Sequence, residues 1–183
     1  WSLAIEEQFY LILPPLLLLV FSCHVKRRTI QRGLVVLIAA SAMLMAVLYD
    51  PAGDPSRVYY GTDTRVFSLL VGSLFAFLFP QGRVLGRGPR GLTRQQRRLV
   101  DGAGVAAFAG IVAFMVLVNG YSPFLYWGGI LVVSLLTAVL IVALVYPASI
   151  MARFLALKPL VWVGQRSYGI YLWHYPLLLL MNP

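Results

Sequence analysis

Long, uninterrupted apolar runs constrain this chain more than any other feature of its sequence. The longest, residues 124–146, contains no charged side chain. A helix needs about 20 mostly apolar residues, at about 1.5 Å each, to cross a bilayer. Runs of this length exclude a transmembrane β-barrel, whose strands are about 10 residues of alternating polarity. The sequence therefore predicts an all-α fold, a polytopic membrane helix bundle.

Six segments approach the length of a membrane span. Hydrophobic residues make up 60% of the chain and charged residues 11%, whereas a soluble domain has about 45–50% and about 25%. This composition excludes a soluble domain, and it excludes disorder, which requires low hydrophobicity. We expect residues 1–183 to be part of a single membrane domain. Its six transmembrane helices are predicted at 2–23, 33–49, 64–80, 101–118, 124–147 and 167–182.

The distribution of basic residues predicts the topology. Fifteen Lys and Arg against six Asp and Glu give a formal net charge of +9, which in a soluble protein would indicate nucleic-acid binding. Here, thirteen of the fifteen lie in three connections between apolar runs, residues 24–32, 81–98 and 148–166. The positive-inside rule makes these connections cytoplasmic in a multi-pass protein of the cell membrane. They attract anionic lipid headgroups or, in a sharper interpretation, hold a phosphorylated cytoplasmic donor.

Two further sequence features set expectations about metals and about the length of the protein. The single cysteine, Cys23, cannot form an internal disulfide, and the chain has no Cys/His spacing typical of a metal site, so we expect no metal. The chain begins at Trp1 rather than Met and stops at Pro183 directly after an apolar run. We therefore expect it to be a piece of a longer protein.

Acidic residues precede the first apolar run. That run, residues 9–23, supplies only about 22 Å of helix. Glu6 and Glu7 are therefore drawn to the membrane boundary, where a carboxylate costs a few kcal/mol unless it faces a cavity or a partner. Because consecutive residues lie about 100° apart around a helix, at least one of the two acids should point inward.

The third segment repeats this pattern with Asp63 and Arg65. Its charge-free run, residues 66–79, is also too short to span the bilayer alone. Thr62 or Asp63 can cap the helix, but Arg65 has no such explanation. We predict that Arg65 pairs with the acids of the first helix and organises a polar site there. The alternative is ordinary snorkelling to the interface.

The last segment carries a polar stripe in an apolar setting. At 100° per residue one arc of about 120° contains Ser167, Tyr168, Tyr171, His174 and Tyr175. Such a stripe must face protein or water. His174 either lines a site or is hydrogen-bonded for structural reasons to one of the tyrosines. Other tyrosines near helix ends, among them Tyr49, Tyr59 and Tyr126, are expected to form an interfacial belt.

Three stretches resemble motifs of one enzyme family. Residues 1–14 read WSLAIEEQFYLILP, residues 64–74 read TRVFSLLVGSL after Asp63, and residues 164–176 read GQRSYGIYLWHYP. They are similar to the WSLxxEEQFYLxxP, TRxxxLLxGxL and GxxSYxxYLWHxP segments of the acyltransferase 3 family of integral-membrane acyltransferases, and they occur in the family's order. The resemblance covers essentially the whole chain.

The resemblance implies a transferase that moves an acyl group, commonly acetyl from acetyl-CoA, to a hydroxyl of a carbohydrate or cell-envelope glycan. Acyl-CoA is then the donor, and a carbohydrate acceptor and the lipid bilayer are the partners. Acyl transfer needs a base for the hydroxyl proton and donors for the developing oxyanion. The candidates for catalysis are Glu6, Glu7 and His174, and those for substrate binding are Asp63, Arg65 and Tyr171.

Family members have about ten membrane helices, so this chain would lack the first three and the last. The family's proposed catalytic histidine lies in the first helix, after a basic residue at a fixed distance. For His24 and His174 the corresponding upstream positions are Leu13 and Val163, so we expect the catalytic histidine outside this chain and the piece alone to be inactive. The competing interpretations are a transporter or flippase, which predicts discontinuous helices in paired positions, and a non-catalytic membrane remnant.

Overall fold

The computed structural model of the protein describes residues 2–51, 53–79, 93–119, 122–146 and 149–181. Within these ranges every regular element is helical, which confirms the all-α class. The helices are α1 (Ser2–Ser22), α2 (Arg27–Leu48), α3 (Ser56–Tyr60), α4 (Thr62–Leu78), α5 (Arg94–Leu117), α6 (Ile130–Val145), α7 (Ile150–Leu155) and α8 (Lys158–Met181). A π-helical turn, Leu125–Gly129, leads into α6.

Four helical segments of the described chain are long and apolar enough to cross a membrane. They are Ile5–Ser22, Arg27–Leu48, Arg94–Leu117 and Leu125–Val145. Helix α4 has 17 residues, or about 26 Å. The chain is therefore a multi-pass membrane helix bundle, and spanning by α4 and α8 stays a prediction.

Several helices begin earlier than the apolar runs indicate. Helix α2 begins at Arg27 rather than at 33, α5 at Arg94 rather than at 101, and α8 at Lys158 rather than at 167. Arg, Lys and Gln are good helix formers, so helix continues through the basic residues. At α5 a capping box between Thr93 and Gln96 fixes the start. The predicted basic connections are consequently part helix.

The core lies where α2, α4 and α6 meet. Phe67 and Val71 of α4 are each 1% exposed, and Met45 of α2 is 2% exposed. They form one cluster with Ala138 of α6. Helix α5 packs on α6, and α1 lies against α4. Helix α4 is therefore the element around which the other packed helices are arranged.

The π-helical turn places an aromatic pair inside the bundle. Gly128 has φ +137°, in the left-handed region that favours glycine. Tyr126 of this turn is 3% exposed and stacks on Tyr49, with ring centroids 4.3 Å apart and planes 9° from parallel. The expectation that both tyrosines belong to an interfacial belt is wrong for Tyr126, because the turn directs its ring at the end of α2.

Candidate functional site

A tight corner between α3 and α4 contains three charged residues, Arg57, Asp63 and Arg65. Arg57 of α3 holds Asp63 of α4 by two parallel hydrogen bonds, from Nη1 to Oδ1 at 3.1 Å and from Nη2 to Oδ2 at 3.0 Å. Planar, bidentate pairing of this kind adds geometric specificity to charge. The hydrogen bonds that Arg57 donates to Asp63 raise the pKa of Arg57. This pair, which we call the clamp, ties the five-residue α3 to the start of α4.

Two hydroxyl groups fix the same corner from inside. The Thr64 side chain is fully buried, and its hydroxyl donates to the carbonyl oxygen of Val58 at 2.7 Å and lies 3.0 Å from that of Gly61. From α2, Ser41 Oγ donates to the carbonyl oxygen of Asp63 at 2.5 Å. The start of α4 is thus held both by α3 and by α2. The N-cap is Gly61, without a side-chain cap, so the expected capping by Thr62 or Asp63 is not seen.

Gly61 occupies a position with no room for a side chain. A Cβ there would lie 2.3 Å from Arg57 Nη1 and 2.7 Å from both Asp63 Oδ1 and Thr64 Oγ1. The backbone of Gly61 has φ −68°, which any residue adopts. Space, and not backbone conformation, therefore requires glycine at this point.

Arg65 lies in the corner beside an aromatic ring. Its guanidinium carbon is 4.2 Å from the centroid of the Tyr59 ring, a cation–π contact. Its Nε is buried, and among the described residues it has no hydrogen-bond partner. The described part of the chain contains no ion pair from Arg65 to Glu6 or Glu7, so the predicted pairing is not formed. The described contact of the Arg65 guanidinium is with Tyr59 of α3 instead.

Helix α1 contacts α4 through neutral groups instead. The Thr62 hydroxyl donates to Gln8 Oε1 at 3.0 Å, while Glu6 and Glu7 are exposed. Below this contact runs a groove of about 550 Å³ between α1, α2 and α4. Its lining is apolar except at the end, where the polar residues are Gln8, Ser41, Thr62 and Asp63.

His174 and Tyr171 meet each other on α8. Nδ1 of His174 lies at hydrogen-bonding distance from the carbonyl oxygen of Tyr171, and the ring centroids are 5.4 Å apart. Every described side chain of α8 is exposed, and α8 packs extensively against no other described helix. The described contacts of His174 are with Tyr171 and do not reach the corner. Of the six candidate residues, the structure therefore brings these two into contact, while Asp63 and Arg65 each contact α3, through Arg57 and Tyr59.

Sequence reasoning missed the roles of Arg57, Tyr59 and Gln8. Arg57 and Tyr59 each stand six residues before their partner on α4, with the break at Gly61 between them. Helical spacing carries no information across such a break. The density of Pro, Gly and Asp in residues 50–63 was the available signal, since it is typical of a tight, structured connection.

The chain is similar to known proteins over its whole length. The family model described as an acyltransferase domain matches residues 1–183. The chain is 46% identical to the peptidoglycan O-acetyltransferase OatA of Listeria monocytogenes, 43% to the putative peptidoglycan O-acetyltransferase YrhL of Bacillus subtilis and 39% to the O-acetyltransferase OatA of Staphylococcus aureus. All of the chain is covered in each case, but only 28–29% of the relative. No solved structure matches.

Proposed function

The chain belongs to the acyltransferase family matched over all its 183 residues, and from that premise we propose that it is part of an integral-membrane enzyme that O-acetylates a cell-envelope glycan, with peptidoglycan as the acceptor. The observation that carries the proposal is that family match. The relatives named as O-acetyltransferases support it. The acyl donor is acyl-CoA, most simply acetyl-CoA.

The acceptor binds at the end of α4 that carries the corner. Asp63 keeps lone pairs free beside the clamp, since each carboxylate oxygen accepts more than one hydrogen bond, and it takes one from an acceptor hydroxyl. Arg65 contributes the positive charge. Glu6 and Glu7, exposed at the start of α1, orient the acceptor or the base that removes its hydroxyl proton.

His174 and Tyr171 serve the acyl group. Nδ1–H of His174 donates to the carbonyl oxygen of Tyr171, so Nε2 of the neutral ring accepts a proton from the acceptor hydroxyl, and the imidazolium that results donates from Nε2 to the developing oxyanion. Tyr171 lines the same route. Both act only when α8 is assembled beside α4.

The donor approaches the opposite end of α4, where α5 begins. Arg94 and Arg98 are exposed in the first turns of α5 and suit the phosphates of CoA. This assignment makes the basic connections cytoplasmic, as the distribution of charge predicts.

The test uses the full-length protein in membranes, supplied with radiolabelled acetyl-CoA and peptidoglycan. We expect covalent, base-labile label in the glycan. We also expect its loss in the single variants Glu6→Gln, Glu7→Gln and His174→Gln and its reduction in Arg65→Gln, with protein amounts checked by immunoblot. Full activity in every variant would overturn the site assignment, and transport of the glycan without covalent label would favour a flippase.

A further inference from the structure

Arg65 is a partly buried cation without a described carboxylate of its own. The acid nearest to it in sequence, Asp63, is engaged by both Nη atoms of Arg57. Arg65 Nε is buried and unpaired among the described residues. Removing a charged group from water without a partner is costly. An anionic group that paired with Arg65 would therefore be favourable in this corner.

The way Arg65 is held determines the shape of the group that could pair with it. Tyr59 covers one face of the guanidinium, and a ring on the face uses none of the five in-plane N–H donors. A planar fork of donors matches two oxygens of an oxyanion, held by parallel hydrogen bonds. A neutral sugar hydroxyl offers only one oxygen.

The pairing of the neighbouring charged residues determines the charge of the group that could pair with Arg65. Asp63 is paired with Arg57, Asp54 accepts from Ser56, and Glu6 and Glu7 form no ion pair with Arg65 among the described residues, so the positive charge of Arg65 has no described carboxylate. A monoanion balances it, whereas a phosphate dianion would overshoot. The planar monoanion that glycans carry is a carboxylate.

We propose that Arg65 binds a carboxylate of the acceptor, so that the enzyme selects acidic glycans over neutral ones, with Tyr59 as the positioning residue that presents the guanidinium. This inference rests on the proposed function, because it assigns a substrate class to the same site.

The experiment measures kcat/KM of the full-length protein in membranes for two soluble glycan fragments that differ only in a free or an amidated carboxyl group. A charge-assisted pair predicts that the free acid is preferred by about tenfold or more, mostly through KM. Arg65→Gln should abolish this preference by lowering kcat/KM for the acid alone. Arg65→Lys should retain part of it, because the charge stays and the fork is lost.

Arg166→Gln is the matched control. Arg166 also lies over an aromatic ring, with its guanidinium carbon 4.4 Å from the Trp162 centroid, but on the exposed helix α8. Its substitution should leave the preference unchanged. For the positioning role, Tyr59→Phe keeps the ring and should keep the preference, while Tyr59→Leu should reduce it several-fold.

The outcomes separate the two proposals. A wild-type protein that labels neither fragment overturns the proposed function, and this inference with it. Wild-type labelling of both fragments with equal kcat/KM, or an Arg65→Gln variant that loses activity equally on both, overturns the inference alone.

Discussion

The described part of the protein contains two arginines stacked on aromatic rings, and the two stacks are built differently. On α8, Arg166 and Trp162 are four residues apart on one helix, the stack is exposed, and Arg166 Nη1 also donates to the carbonyl oxygen of Trp162 at 3.3 Å. In the corner, Arg65 and Tyr59 belong to different helices. Helical spacing alone produces the first contact. The second depends on a glycine, a buried hydroxyl and an ion pair, so substitutions that leave α8 unaffected should disturb the corner.

The largest expected effect is that of Gly61→Ala. The new Cβ would lie 2.3 Å from Arg57 Nη1 and 2.7 Å from Oγ1 of the buried Thr64, so the clamp must open and the Thr64 hydroxyl must also shift, and overpacking of this kind typically costs about 1–3 kcal/mol. Thermal unfolding in detergent should shift down and acetyl transfer should fall at least tenfold. Gly72→Ala is the control, because Gly72 also lies on α4 and a Cβ added there would have no atom within 4 Å. This substitution should be neutral or slightly stabilising. Equal behaviour of the two variants would contradict a clamp.

Next comes Thr64→Val, which removes the buried hydroxyl at nearly constant volume. The Val58 carbonyl then loses its described side-chain donor, at a cost of about 1–3 kcal/mol. Denaturation monitored by near-UV circular dichroism measures the change. Thr137→Val removes an exposed hydroxyl that bonds only within its own helix and should change stability far less. If the two variants lose the same amount of stability, the Thr64 hydroxyl does not hold the corner.

A smaller effect is expected for Asp63→Asn, which leaves Arg57 with a neutral partner. The pair is 63% and 43% exposed, and exposed ion pairs contribute little. The loss of stability should be smaller than for Thr64→Val and should shrink further at high salt. Unfolding of wild type and variant at low and high ionic strength tests this, and a salt-independent difference would show that geometry rather than charge dominates.

The smallest effect is expected on α8. Trp162→Leu removes the second stack, but every described side chain of this helix is exposed. We therefore expect the unfolding temperature of this 183-residue chain to stay within about 1 °C of the wild type, as surface substitutions usually do. A shift as large as that of Gly61→Ala would mean that α8 is packed, and would remove the contrast between the two stacks.

The sequence predicted what depends on periodicity and on uninterrupted length. The apolar runs indicated an α-helical membrane bundle, and the three-residue spacing of Tyr171 and His174 placed them on one arc, where they do meet. The partner of Arg65 could not be predicted, because Gly61 interrupts the helix and the geometry across the break depends on Thr64 and Ser41. The early helix starts were missed because only apolar residues were counted toward a helix.

Those early starts have an electrostatic consequence. Helices α2, α5 and α8 begin at Arg27, Arg94 and Lys158, and none of the three has an acid in its first turn. A helix start carries about half a positive charge from its aligned peptide dipoles, so each cation there is unfavourable by about 0.3–1 kcal/mol. An anionic surface facing these three helix starts would make the same cations favourable. The capping box holds the start of α5, whereas α2 has no side-chain cap, so the first turn of α2 should fray in neutral detergent and become ordered against acidic lipid, and the membrane then acts as its cap.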